Sequence, residues 1–303
     1  MYIHGDEGWE THPTYLPTMA PRVLELLDRH GVKITFFVVG QDAALDENVA
    51  ALRSLRDAGH EIGNHSFRHE PWLHRYSDAE LDEELARAEA AIAAATGVQP
   101  DGFRGPGYSV SVPTLEVLVR RGYRYDASTL PTVIGPIARA VYFRSADLTA
   151  AQRDERSLLY GRASDGLRPL KPYRFRVGTS TMLELPVTTF PGMRIPIHMS
   201  YLLMLSARSE TAARAYFAFA LRVCRARGVE PSMLLHPLDV LSGDEVPALR
   251  FFPGMEIPAA VKAKRVSRFL GMLVDQFSVM PVGEYATLAN ARTLPTRPAK
   301  FAA

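Results

Sequence analysis

Cysteine is almost absent from this sequence, since Cys224 is the only one among 303 residues. A single thiol can form neither an internal disulfide nor a thiolate zinc cluster. A metal site in this chain must therefore be built from histidine and carboxylate side chains. Nine histidines are available for such a site.

An excess of basic charge is also missing. Thirty-five Lys and Arg residues face 33 Asp and Glu residues, which leaves a formal net charge of +2. Nucleic-acid-binding domains usually carry a clear basic excess, so we expect no nucleic-acid partner. No apolar run reaches the roughly 18 residues that a spanning helix needs, so we expect no transmembrane segment. A secretory signal pattern is not found either, and we expect a cytoplasmic protein.

The first 130 residues alternate short apolar runs with helical patterns. The clearest strand is predicted at 33–39 (KITFFVV), and the clearest helix at 77–96, which begins with a capping box of Ser77 and Glu80. Further strands are predicted at 2–4, 60–64, 103–104 and 123–126, with helices at 21–30, 48–58 and 113–121 between them. This order predicts a parallel sheet covered by helices, either a barrel or a doubly wound sheet.

The pattern is interrupted at about residues 131–176, which are Arg-rich and irregular, and we interpret them as an insertion. The alternation then resumes. Strands are predicted at 182–188, 232–236 and 277–281, and helices at 210–227 and 261–276. No internal repeat or low-complexity linker separates the parts, so we expect residues 1–303 to form one domain.

Four polar clusters follow predicted strands, where parallel α/β folds collect their functional groups. They are residues 4–7 (His-Gly-Asp-Glu), 65–69 (His-Ser-Phe-Arg-His), 104–108 (Arg-Gly-Pro-Gly-Tyr) and 236–239 (His-Pro-Leu-Asp). Each cluster alone also fits a surface or structural role. Together they offer two imidazoles and a carboxylate for a divalent metal, with a second carboxylate as general base. Arg104 could hold a carboxylate bidentately, and His236 could serve as general acid.

Taken in order, the clusters resemble the motifs of the polysaccharide deacetylase family, the NodB-homology domain of carbohydrate esterase family 4. The family's Thr-Phe-Asp-Asp-Gly motif is similar to His-Gly-Asp-Glu-Gly at 4–8, and its His-(Ser/Thr)-x-x-His motif is matched fully at 65–69. Its Arg-x-Pro motif is matched at 104–106, and its late Leu-His motif at 235–236.

The resemblance implies a deformed (β/α) barrel of about seven parallel strands and a divalent metal, most often Zn²⁺, with Co²⁺ or Mn²⁺ as alternatives. It implies hydrolysis of an N-acyl group, usually acetyl, on a sugar. By motif position, His65 and His69 would be metal ligands, His236 the acid, and Arg104 the residue that orients the base. Tyr108 and Asp126 are expected on the substrate side of the site, Asp126 as its support.

The first motif departs from the family pattern and leaves two alignments open. In one, Asp6 is the base and Glu7 the third metal ligand. In the other, His4 takes the base position and Asp6 becomes the ligand.

The same departure keeps two other functions open: an amidohydrolase acting on a small cyclic amide or ureide, and a non-catalytic domain that has lost the metal. For the deacetylase we expect a soluble, nucleotide-linked or lipid-linked sugar, the last at the inner membrane face. The sugar, the acyl group and the oligomeric state are not readable from the sequence.

Overall fold

The structure, a computed structural model, describes residues 13–145, 149–155, 157, 161–250, 252 and 254–301. Its strands are β1 (Thr35–Val38), β2 (Glu61–Asn64), β3 (Gly102–Phe103), β4 (Tyr125–Asp126), β5 (Tyr173–Val177), β6 (Ser180–Glu184) and β7 (Thr296–Pro298). They form one seven-stranded sheet in the order β1-β2-β3-β4-β6-β5-β7. The α/β fold expected from the sequence is confirmed.

Strands β1 to β4 pair in parallel, and β4 pairs in parallel with β6. Strand β5 instead runs antiparallel to β6, and β7 is parallel to β5. The two residues between β5 and β6 allow only a hairpin, and Gly178 takes the positive φ of 56° that such a tight turn requires. The expectation of parallel strands throughout is therefore corrected at β5. Hydrogen bonds between the described strands do not close the sheet into a barrel.

Helices cover the sheet. They are α1 (Leu16–Asp28), α2 (Gly40–Ala43), α3 (Asp46–Asp57), α4 (Asp78–Thr96), α5 (Val112–Arg120), α6 (Gly135–Ser145), α7 (Ala150–Glu155), α8 (Met199–Arg208), α9 (Glu210–Arg227), α10 (Ala259–Val274) and α11 (Val282–Asn290). The capping box of Ser77 and Glu80 opens α4 as predicted, and Gly97 closes it in the left-handed conformation. Among the described residues, no helix is long and apolar enough to cross a membrane.

The second half of the chain differs from its prediction. Residues 131–176, expected to be irregular, contain α6, α7 and β5. The predicted strands at 232–236 and 277–281 are not strands of the sheet and have no regular secondary structure. In the first of these segments, the carbonyl oxygen of Ser232 accepts from the Thr188 N–H (3.2 Å), but the Ser232 N–H donates to the Thr188 hydroxyl (2.7 Å). The Thr188 hydroxyl thus takes the place of a backbone acceptor, and the two segments form no β-ladder. The predicted strand at 2–4 lies outside the described residues.

The largest apolar core lies between the β1 side of the sheet and helices α1, α3 and α8 to α10. Leu27, Leu52, Phe217 and Phe269 are buried in it. A second cluster packs α4 and α5 against β3, β5 and β6, where Leu85 and Leu118 are fully buried. These cores leave the carboxyl ends of β1, β2 and β3 facing one cavity, which Val39, His65 and Arg104 line.

Candidate active site

The two histidines of the 65–69 motif lie at the end of β2, and their Nε2 atoms are 3.2 Å apart. Nδ1 of His65 donates to the carbonyl oxygen of Arg104 at 2.5 Å, so Nε2 of His65 carries the lone pair. Burial is the main cause that holds the pKa of His65 well below its usual range and lowers that of His69 to about 4. Two neutral imidazoles therefore converge through a turn.

The backbone of that turn is strained. Ser66 and His69 have φ angles of 62° and 60°, a region that side chains other than glycine rarely occupy. Ser66 is fully buried, its N–H donates to Asn64 Oδ1 (2.8 Å), and its Oγ accepts from the His69 N–H (3.0 Å). Its carbonyl accepts from the Gly40 N–H at 2.9 Å. Such conformations cost about 1–3 kcal/mol each and persist where the surroundings determine them.

A buried carboxylate on α4 holds the middle of the turn. Glu84 is 3% exposed, and its Oε1 accepts from the backbone N–H of Phe67 (2.9 Å) and of Arg68 (2.6 Å). Burial raises the pKa of Glu84, while the two N–H donors oppose that shift. The helix that the sequence presents as an apolar stripe thus also supplies a polar contact to the histidine motif.

A second chain of hydrogen bonds reaches the turn from behind. Asn64 Nδ2 donates to the Tyr123 hydroxyl at 2.6 Å, and that hydroxyl donates to Glu89 Oε1 at 3.0 Å. Arg121 pairs bidentately with the same carboxylate at 2.8 and 2.6 Å. Each buried polar group in this series of hydrogen bonds has a partner, which makes the network a rigid support for Asn64 and the turn.

Arg104 follows β3, beside the histidines. Its Nε donates to the carbonyl oxygen of Ala127 at 2.9 Å, and its guanidinium lies 4.4 Å from the ring centroid of Phe37. Among the described residues this is the only hydrogen bond of the side chain, so both Nη atoms can hold a carboxylate. Burial lowers the pKa of Arg104, yet a guanidinium stays charged at any physiological pH.

The Gly-Pro-Gly turn after Arg104 places Tyr108 on the cavity wall. A Cβ atom on Gly105 would lie 2.0 Å from the carbonyl oxygen of Ser109, so this position admits only glycine. Tyr108 itself has a φ of 65°. Here the tight turn that the sequence suggested serves to present a side chain to the site.

His236 reaches the cavity from the other half of the chain. Its Nδ1 is 3.1 Å from Ser200 Oγ, and that hydroxyl donates to Asp239 Oδ1 at 2.7 Å. The His236 N–H donates to Asp239 Oδ2 at 2.8 Å. Because the Ser200 hydroxyl is used as a donor to Asp239, it accepts from His236 Nδ1–H, which leaves Nε2 for proton exchange. The side chain keeps 41% of its accessible surface, which faces the cavity.

Two opposing causes act on the pKa of His236. Burial lowers the pKa of His236, and the carboxylate of Asp239 raises it. Lys262 Nζ, itself buried, donates to the carbonyl oxygens of Leu238 and Leu241 at 2.7 Å each and so anchors the turn that carries Asp239. The ring of His198 lies 6.0 Å from that of His236.

A cavity of about 1130 Å³ brings the predicted site residues together. His65, His69, Arg104, Tyr108 and His236 all line it. The structure places Asp126 differently: its side chain is fully buried and does not line the cavity. The predicted residues His4, Asp6 and Glu7 lie outside the described residues.

The donor pair fits a divalent metal, because two neutral imidazoles with converging Nε2 atoms are a common half of such a site. Within the described ranges, no group of three or more His, Cys, Asp or Glu side chains could hold an ion.

The sequence pattern of the polysaccharide deacetylase family matches residues 1–125. This part of the chain is similar to polysaccharide deacetylases. The peptidoglycan deacetylase of Helicobacter pylori is 31% identical over 110 residues, 36% of this chain and 36% of that protein. The peptidoglycan-N-acetylmuramic acid deacetylase PdaA of Bacillus subtilis is 31% identical over 125 residues, 41% of this chain and 44% of that protein.

The family likeness extends to the fold of the whole chain. The crystal structure of a polysaccharide deacetylase candidate from Mycobacterium smegmatis superposes with a TM-score of 0.62 and covers 98% of this chain and 85% of its own, at 21% identity. This similarity shows the fold. The chain spans less than half the length of the two curated relatives, so their activities come to it only as proposals.

Several supporting residues were given no role from the sequence: Ser200, Asp239, Glu84 and Glu89. Asp239 lies in the fourth cluster, and its spacing of three residues from His236 matches a capping pattern that could have indicated it. The buried glutamates on α4 carry no local signal, since a glutamate in a helix is most often exposed.

Proposed function

We propose that the chain is a metal-dependent hydrolase that removes an N-acyl group, in the simplest case acetyl, from a sugar. The observation that carries this is that His65, His69, Arg104 and His236, from three separate motifs, line one cavity. Amide hydrolysis needs these chemical types: ligands for a metal, a cation beside a carboxylate base, and an imidazole that exchanges a proton. The similarity of residues 1–125 to polysaccharide deacetylases supports the same reaction.

In this proposal His65 and His69 hold the metal together with Glu7, and Asp6 is the base. In the second alignment Asp6 is the ligand and His4 the base. A bound divalent metal, Zn²⁺ first and Co²⁺ or Mn²⁺ as alternatives, would supply Lewis acidity to the acyl carbonyl and the attacking water.

The residues of the chain then move the protons. The free Nη atoms of Arg104 orient the carboxylate base, which accepts a proton from the attacking water. His236, steadied at Nδ1 by Ser200, delivers a proton from Nε2 to the departing nitrogen when the carbon–nitrogen bond breaks. The products are a free amine on the sugar and a carboxylate.

For the substrate we favour a sugar that carries an apolar or phosphate-containing group. Ile137, 64% exposed, and Met204, 36% exposed, both line the cavity and would contact a lipid chain. Arg139 is the neighbour of cavity-lining Ala138, and its charge suits the phosphate of a nucleotide-linked or lipid-linked sugar. A cytoplasmic location, for the lipid-linked case at the inner membrane face, stays a prediction that cell fractionation tests.

The decisive experiment is a screen for acetate and formate release. The substrates are N-acetylated and N-formylated nucleotide sugars, lipid-linked sugars, soluble amino sugars, and small cyclic amides and ureides, each with Zn²⁺, Co²⁺ or Mn²⁺. We expect release from at least one sugar class and loss of release in His65→Ala. Turnover of cyclic amides alone would favour the amidohydrolase instead.

The departure of the first motif, His-Gly-Asp-Glu-Gly at 4–8, favours testing one further function, a non-catalytic domain. Elemental analysis of protein purified without chelator separates the two. We expect close to one equivalent of metal in the wild type. Less than about 0.1 equivalent, with no release from any substrate after metal addition, would support the non-catalytic domain.

A further inference from the structure

Two carboxyl groups meet in the sheet beneath Arg104. Asp126 on β4 and Glu184 on β6 are register partners on neighbouring parallel strands, so their side chains point to the same face. Both residues are completely buried, and each carboxyl group shifts the pKa of the other. The sequence shows Glu184 only as one polar residue in an apolar strand.

The hydrogen bonds around the pair leave one oxygen of each group without a donor. Asp126 Oδ1 accepts from the Ser128 hydroxyl, and Glu184 Oε1 accepts from the N–H (3.0 Å) and the hydroxyl (2.5 Å) of Thr129. Asp126 Oδ2 and Glu184 Oε2 have no donor among the described residues. Two ionised carboxylates only accept and repel each other, whereas one proton between them gives both oxygens a partner.

The surroundings agree with a single proton. Burial first, and then the charge of Asp126, raises the pKa of Glu184 well above its usual range. The charged or titratable side chains that face the pair are Arg104, from the end of β3, and Tyr173, from β5. Burial raises the pKa of Tyr173, so this phenol stays neutral. With one proton, the pair carries a single negative charge, which balances the positive charge of the Arg104 guanidinium.

The pair is also joined to Arg104 through the backbone. The Ser128 hydroxyl that donates to Asp126 accepts from the Gly105 N–H at 2.7 Å. Arg104 Nε donates to Ala127, the residue that follows Asp126. The single negative charge of the pair thus acts on the guanidinium, while the Nη atoms donate to none of the described residues.

We propose that Asp126 and Glu184 share one proton and act as a positioning pair, which balances the buried charge of Arg104 and leaves its Nη atoms to orient the carboxylate base. The role toward the base rests on the proposed hydrolase function. The shared proton does not, and it is tested without a substrate.

The first test measures unfolding by denaturant between about pH 5 and pH 8. The folded wild type keeps a proton that the unfolded chain releases above the ordinary glutamate pKa of about 4.5, so its stability falls as pH rises through this window. In Glu184→Gln an amide replaces the protonated carboxyl and nothing titrates. The unfolding equilibrium constant of the wild type should therefore rise about tenfold more per pH unit than that of the variant, up to the folded pKa.

Two further variants test whether the proton is shared. In Asp126→Asn the amide donates to Glu184, which then ionises, so the extra pH dependence should vanish here too. If burial alone kept Glu184 protonated, the extra pH dependence would persist in Asp126→Asn. As a control, Glu230→Gln changes an ionised carboxylate in an ion pair with Arg292 and should leave the wild-type slope unchanged.

The role toward Arg104 is tested by activity on the substrate found in the screen. Glu184→Gln keeps the charge on Asp126, and we expect its kcat/KM within about threefold of the wild type, whereas Asp126→Asn/Glu184→Gln removes the charge and should lose about a hundredfold. Glu184→Gln is thus the conservative variant that keeps the activity which the double variant loses.

Equal pH slopes in the wild type and Glu184→Gln would overturn the shared proton. Equal activity in the single and double variants would overturn the positioning role, and a screen without any substrate would count against the hydrolase alone.

Discussion

The two halves of the candidate site are built in different ways. His65 and His69 follow a strand inside a parallel sheet, and a buried network through Asn64, Tyr123 and Glu89 holds their turn. His236 follows a segment that is not a strand of the sheet, and Ser200 on a neighbouring helix holds its ring.

The difference matches the two chemical tasks that we propose for them. A metal needs ligands fixed before it binds, and rigid elements place side chains more accurately than loops do. A proton donor needs one correctly oriented nitrogen and access to the substrate. The exposed surface of His236 in the cavity provides that access.

The largest expected effect comes from breaking the rigid half. His65→Ala or His69→Ala should lower kcat/KM by at least about a thousandfold and remove most of the bound metal, because either change deletes a ligand. Activity assays and elemental analysis check both results. His30→Ala, which loses only a contact with Ser267, is the matched control and should keep its metal. Full metal occupancy in His65→Ala would disprove the ligand assignment.

Arg104→Lys comes next and tests the geometry of that half rather than its charge. A lysine keeps the positive charge but cannot orient a carboxylate with two parallel donors, so we expect about a hundredfold loss in kcat with metal still bound. Arg124→Lys alters a half-exposed ion pair with Asp101 and is the control. Unchanged turnover in Arg104→Lys would mean that charge alone suffices.

Ser200→Ala breaks the other half. It removes the acceptor of His236 Nδ1 and a donor to Asp239, and we expect about a tenfold loss in kcat. The imidazolium also becomes less stable, so the pKa of His236 falls and the alkaline limb of the pH–rate profile moves to lower pH. Ser206→Ala, on the same helix with its hydroxyl bonded to Leu203, should leave the profile unchanged. A uniform drop at all pH values, with no shift of the alkaline limb, would argue against stabilisation of the imidazolium by Ser200.

The smallest expected effect comes from weakening the buried hydrogen-bond network behind the histidine turn while leaving the residues that line the cavity unchanged. Tyr123→Phe removes the hydroxyl between Asn64 and Glu89 and should lower the free energy of unfolding by about 1–2 kcal/mol, since a buried donor loses its acceptor. Denaturant titration measures it. Tyr285→Phe, whose hydroxyl meets an exposed Glu230, should cost less. Equal losses would show that the network adds no special rigidity.

Much of the fold and site could be predicted where the signal is local. The capping box at Ser77 and the strand within residues 33–39 are local patterns, and both are present. The antiparallel β5 and the missing ladder at 232–236 depend on which segments meet, and an apolar run does not state its partner. The role of Glu184 could not be predicted for the same reason, since it depends on Asp126, which lies on another strand.

The sequence by itself determined the chemical types available: one cysteine excluded thiolate sites, and the spacing at 65–69 predicted a pair of converging imidazoles. It also carries the resemblance to polysaccharide deacetylases, because four motifs occur in a fixed order. The tertiary structure alone decided that His65, Arg104 and His236 line one cavity and that Ser200 holds the acid. Those contacts join residues that are 39 and 36 positions apart along the chain. They depend on how strands and helices pack, and packing is a property of the whole fold.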